Sequence, residues 1–222
     1  MVGDGMKALH KDFWMEIRKS KARFISIFLI VALGVAFFSG IQASSPDMRY
    51  SGDAYYEAAK LMDLKIQGTL GLTQRDVKAV SDIDGVELAE GGYSTDVMSG
   101  EDDARKVLHL ESISSNFNLL TADEGRIPEK SGEIFLDKPF AKNRGYKIGD
   151  TISVSEDGDS ELLKKTTYTV VGIGSSPLYI SFNRGNTTLG SGEVSGFGYI
   201  LPEDFDQEAF TQIYVMVHES GD

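Results

Sequence analysis

The chain has 222 residues with 34 Asp/Glu against 22 Lys/Arg, a formal net charge of −12, and no cysteine. The missing thiols exclude a disulfide scaffold and thiolate metal sites. The acidic balance gives no electrostatic case for nucleic acid, which needs clustered Lys/Arg, so no nucleic-acid partner is expected.

The charge is divided unevenly. Residues 1–23 hold six Lys/Arg and three Asp/Glu, net +3, and the rest of the chain is net −15. Residues 6–23, MKALHKDFWMEIRKSKAR, place Leu9, Phe13 and Ile17 at i, i+4 and i+8 with lysines elsewhere, the pattern of a basic amphipathic helix on a membrane surface. Next comes FISIFLIVALGVAFFSGI, an uncharged run of about 27 Å as a helix, close to the hydrocarbon thickness of a bilayer. A cleaved secretory signal shares the basic start and apolar core. Its core usually spans only about 7–15 residues, however, and Ile41-Gln42-Ala43 is a weak cleavage site. Arg18, Lys19, Lys21 and Arg23 on one flank predict a cytoplasmic N-terminus. The expected organisation is a cytoplasmic basic helix over 1–23, a transmembrane helix over 24–42 and an extracytoplasmic domain over 43–222.

Beyond the span, 44–59 reads as a polar lead-out, helical around Asp53 to Leu61. Met62 to Gly68 alternates apolar and polar, predicting a strand with one buried face. Leu72 to Ile83 reads as a helix, with Thr73 and Asp76 spaced as a cap and Val77, Val80 and Ile83 as its stripe; Gly85 ends it. Val86–Val97 and Lys106–Ile113 read as strands, the second with His109 among apolar residues. Gly125-Arg126-Ile127-Pro128 is a corner before a short strand, Gly132 to Asp137, and a helical turn, Phe140 to Arg144, stopped by Gly145. Tyr146–Val154 and Tyr168–Ile173 form a predicted hairpin with a long acidic tip. The Gly-, Ser- and Asn-rich 175–198 reads as a loop, and Gln212–Val217 as a last strand. The fold class is α+β, dominated by strands, behind one N-terminal transmembrane helix.

The order of a basic helix, one span, GLTQRDVKAVSDIDGV, the Gly125-Arg126-x-Pro128 corner, GEIFLDKPFA, YKIGDTISV and YTVVGIGSSPLYIS resembles the start of an FtsX-like, MacB-type ABC transporter permease. The resemblance covers Lys11 to Val217. It implies a MacB-like extracytoplasmic core domain, a cytosolic ABC ATPase in trans, and either the remaining permease helices or a second permease half as partners, with membrane lipid around the span. Such permeases carry several spans, so a chain with one apolar run is expected to be their N-terminal part. Its function would be to couple ATPase to movement of the domain, exporting or extracting a lipid, peptide or lipoprotein, or transmitting force. A stand-alone anchored interaction or scaffold domain is the alternative.

No enzymatic function is expected. The chain lacks G-x-x-x-x-G-K-[ST], and Gly190-Ser191-Gly192-Glu193-Val194-Ser195-Gly196 puts its third glycine one place late for a dinucleotide loop. The three histidines, His10, His109 and His218, have no G-x-S-x-G to serve. The acids at 156–161 lack the alternate spacing of a calcium loop and read as a solvated hairpin tip. Catalytic, cofactor and metal sites are therefore expected to be absent. Tyr179, Ile180, Phe182, Phe197 and Tyr199, set in a Gly-rich stretch with Leu178, are the candidate partner-binding residues; the opposing reading places their rings in the core.

Overall fold

The computed structural model describes residues 3–100, 105–156, 162–181 and 183–218. The chain divides into two compact units, 1–55 and 56–222.

The first unit is helical. Helix α1 (Gly3–Lys19) carries exposed Phe13 and Trp14. Helix α2 (Lys21–Ala58) runs 38 residues, about 57 Å, and contains the apolar segment that is long enough to cross a membrane. The predicted break after that segment does not occur. Pro46 lies inside the helix, where it forfeits one backbone donor and holds a helical φ, and the Met48, Ala54 and Glu57 that follow favour helix.

The second unit contains two sheets. The smaller has the order β1 (Leu64–Leu72), β10 (Phe210–Val217), β2 (Val86–Gly92), all antiparallel. Helix α3 (Gln74–Ser81) is capped as expected, Asp76 accepting from both the N–H and the Oγ of Thr73 at 2.7 Å. Its Val77 packs on Ile213 and Val215 of the central strand. The buried face predicted for β1 is not buried: Leu64 is 55% and Ile66 36% exposed, because the apolar cluster under α3 takes in the central strand, β2 and only Leu72 at the far end of β1.

The larger sheet comprises β3 (Ser94–Ser99), β4 (Lys106–Ser112), β5 (Thr121–Gly125), β6 (Glu133–Asp137), β7 (Thr151–Ser155), β8 (Thr167–Ser175) and β9 (Val194–Ile200). Strands β8, β6, β9, β4, β3 and β7 pair in that order, and β7 pairs with β8 again, closing a six-stranded barrel; β5 lies along the far half of β8. Alternation along each strand sends Leu108, Leu110, Ile134, Leu136, Ile152, Val154, Tyr168 and Val170 into the core. Phe140 and Ala141 of α4 (Lys138–Arg144) join that core. The helix ends at Gly145, left-handed at φ 77°, as its sequence predicts.

Three further predicted elements are corrected. The single strand expected over Val86–Val97 is two strands in different sheets. The change of sheet falls at Gly91-Gly92-Tyr93, where a Cβ on Gly91 would stand 2.5 Å from the Phe210 ring and one on Gly92 2.7 Å from Tyr214. The loop expected over 175–198 contains β9, parallel to β4 and antiparallel to β6. Its glycines are core-facing positions without room for a side chain: a Cβ on Gly196 would lie 2.5 Å from Phe140, and one on Gly198 2.9 Å from Ile134 and Leu110. Tyr146–Asp150, expected within a strand, is a turn ahead of β7. The β7–β8 hairpin is present, and the acidic tip at 157–161 lies outside the described residues.

The corner motifs serve this architecture. Arg126 grips Glu133 with both arms, Nη1 to Oε2 at 2.8 Å and Nη2 to Oε1 at 2.5 Å, while Glu133 also accepts from the Glu129 amide. Those hydrogen bonds, that of Arg126 foremost, hold the Glu133 carboxyl down at about 2.

Candidate functional site

Residues on the outward face of β3, β4, β6 and β9 alternate with the barrel core and are covered by the chain that follows β8. Phe135, Phe197 and Tyr199 form a second buried cluster there, with Tyr179 packed against it. Tyr179 stacks on Phe197 at 4.5 Å between centroids and 15° between planes. Arg184 lies over the same Phe197 ring at 5.6 Å and makes a two-armed pair with Asp137, both bonds 3.0 Å. It also donates to the carbonyls of Tyr179 and Ser181, so one guanidinium ties this strap to the barrel. Burial pushes the Asp137 carboxyl up, and Arg184 opposes it; the net direction is upward.

Beside these rings lies a polar cluster. His109 and Glu111 sit two apart on β4 and so share a face, and Asp96 is His109's register partner on β3. His109 Nδ1 is 2.5 Å from Asp96 Oδ1, and Nε2 is 3.4 Å from Glu111 Oε1. Glu111, 1% exposed, accepts from Tyr179 Oη at 3.2 Å and from Tyr214 Oη of the small sheet at 3.4 Å. Gln212 donates in turn to Tyr214 Oη. Burial disfavours the charged imidazole, but the hydrogen bonds it donates to Asp96 and Glu111 outweigh it and hold His109 at about 9. Burial likewise pushes Glu111 up, and the His109 hydrogen bond and charge, helped by Lys65, bring it below its ordinary value. Burial raises Tyr179, and the Glu111 charge adds to that, so the phenol stays protonated and donates.

Of the five residues singled out in the sequence, Tyr179, Phe197 and Tyr199 come together, with Phe197 and Tyr199 1% and 3% exposed and covered by the domain itself. Ile180 points away and is 63% exposed. Phe182 lies outside the described residues. Sequence reasoning missed the charged cluster. The two-residue spacing of His109 and Glu111 was the available signal, but Asp96 reaches them only through pairing of β3 with β4, and Tyr214 only through contact between the two sheets. Among the described residues, no group of three or more His, Cys, Asp or Glu is arranged to hold a metal ion.

A membrane-length apolar helix leading into a strand-rich α+β domain defines the class, a membrane protein with an extracytoplasmic domain. The chain belongs to the MacB-like periplasmic core domain family, whose model matches residues 24–222. It is therefore part of a MacB/FtsX-like ABC transporter permease, a transporter component. Solved structures similar to it include two transporter domains. One is the extracellular domain of the noncanonic ABC-type transporter YknZ from Gram-positive bacteria (12% identity, TM-score 0.46, covering 69% of this chain and 76% of that one). The other is the periplasmic region of MacB from Actinobacillus actinomycetemcomitans (13%, 0.42, 71% and 68%). No curated protein sequence matches the chain.

Proposed function

We propose that this chain is the N-terminal portion of a permease subunit that couples a cytosolic ABC ATPase, supplied in trans, to movement of the extracytoplasmic domain. Its output is export or extraction of a lipid, peptide or lipoprotein, or force passed to an external partner. The N-terminus is cytoplasmic and the chain beyond about residue 43 is outside. The remaining permease helices or a second permease half complete the membrane part.

The observation that carries this reading is the match of one family model to residues 24–222, which takes in the apolar segment together with the strand-rich domain. Helix α2 contains that apolar segment and runs to Ala58. Ile180, exposed on the strap, is the candidate point of contact for an external partner.

Because the chain has no cysteine, single-cysteine labelling gives a clean test. With a membrane-impermeant thiol reagent on intact cells, Lys142→Cys is expected to label and Lys19→Cys to label only after permeabilisation; the reverse pattern refutes the orientation. Co-purification of the complete permease with an ATPase subunit is the expected partner result. A permease that never retains an ATPase refutes the coupling role and leaves the anchored scaffold.

A further inference from the structure

Four observations converge where the chain leaves α2. Among the described residues, Lys60 (φ 48°) and Asn118 (φ 51°) are the non-glycine residues with left-handed backbone, and they face each other, the Asn118 N–H donating to the Lys60 carbonyl at 2.9 Å. Backbone of this kind is disfavoured for a lysine and persists only where its surroundings impose it. Two more hydrogen bonds flank that contact: Leu119 N–H to the Ala59 carbonyl at 2.8 Å, and Met62 N–H to Asn118 Oδ1 at 3.1 Å. Asn118 is 5% exposed, and its Nδ2 has no protein partner. Finally, Asn118 lines a cavity of about 10 Å³ with Ser112, Ser114, Tyr199 and Tyr214.

A cavity of that size is about one probe sphere, the least that holds a water, and water stays only where two to four polar groups receive it. Those groups are present. Asn118 Nδ2 has donors to offer. Ser114 Oγ accepts from the Asn116 and Phe117 amides and keeps its hydroxyl proton to give, while Ser112 Oγ, which accepts one bond from the Tyr93 amide, keeps a lone pair for one of the water's own protons. An orphaned buried amide costs more than a neutral hydrogen bond gains, which favours occupation.

We propose that Asn118 is the positioning residue that clamps the chain leaving α2 onto the loop between β4 and β5, and that one water molecule beneath it joins this clamp to the Glu111 cluster. The route is continuous: Lys60–Met62, Asn118, the water, then Tyr214, whose hydroxyl donates to Glu111. Asparagine suits the post because it tolerates left-handed backbone and offers an acceptor to Met62 together with a donor to the water. The proposal rests on the reading that motion of α2 is passed to the domain, and it names the joint through which it passes.

Hydrogen exchange on the full chain in nanodiscs tests the clamp. Asn118→Gly keeps the backbone conformation and deletes the side chain, and is expected to speed exchange of the Met62 amide at least tenfold while the Leu110 and Phe197 amides hold. Asn118→Asp keeps the acceptor and is expected to preserve Met62 protection. Unchanged exchange at Met62 in Asn118→Gly, or its loss in Asn118→Asp, overturns the clamp. Should Asn118→Gly fail to fold, the Asp variant alone decides. Long-lived magnetisation transfer from water to the Asn118 side-chain amide is expected in the wild type, and its absence overturns the bound water. These outcomes do not involve the ATPase. A clamp that stands while ATP leaves Met62 exchange unaltered in the complete transporter refutes the transmission reading instead.

Discussion

Raising the pH should loosen this domain through one side chain, His109. Its imidazole is held at about 9 against an ordinary 6.5, and a rise of that size corresponds to about 3 kcal/mol of folding stability. The sign follows from the direction: the folded state binds the proton more tightly, so the contribution is fully present below pH 6.5 and is lost as pH climbs through about 9. Asp96 and Glu111 are shifted downward, so their contribution is present above the ordinary carboxylate range and fails only in acid. The assay is urea unfolding of the chain in detergent micelles, followed by circular dichroism between pH 6.5 and 9.5, below the ordinary tyrosine value of about 10. Wild type should lose about 3 kcal/mol across that window. His109→Gln should lose nothing further with pH, but should start about 3–5 kcal/mol lower because Glu111 is left buried without its cation. His109→Gln/Glu111→Gln should recover much of that deficit. A flat wild-type profile, or the same slope in His109→Gln, refutes the account of the cluster.

Gly198→Val should destabilise the barrel by about 1–3 kcal/mol or more, since a Cβ there already meets Ile134 and Leu110 at 2.9 Å; an unshifted thermal melt would remove β9 from its inferred position. Arg184→Met should cost about 3–5 kcal/mol by leaving Asp137 unpaired, and adding Asp137→Asn should restore much of it, checked by a double-mutant denaturation cycle. Ile180→Asp should leave stability within about 0.5 kcal/mol. If the strap receives an external partner, its capture by the complete permease weakens in the same variant; capture at wild-type level would exclude Ile180 from that surface.

Local patterns carried the parts of this protein whose physics is local. Eighteen uncharged residues behind four basic side chains define an apolar helix long enough to cross a membrane, and Thr73 with Asp76 caps α3 through bonds within one turn. Gly145 and the Gly125-Arg126 corner were legible because the backbone conformation they need is written in the residue type. Elements whose stability comes from distant neighbours were not legible. VSGFGYI looks like a loop because its glycines lack strand propensity, and only closure of the barrel shows that Phe140, Ile134 and Leu110 fill the space a side chain would take. TADEG, exposed throughout, is a strand only because β8 offers it an edge. In the same way His109 reads as one polar residue in an apolar strand until β3 brings Asp96 beside it and β10 brings Tyr214 to Glu111. Spacing along the chain determined the apolar segment of membrane length, the caps and the corners; pairing of β3 with β4, and contact between two sheets that brings Tyr214 to Glu111 across 103 positions, decided which polar groups are buried together and hence where this domain stores its charge.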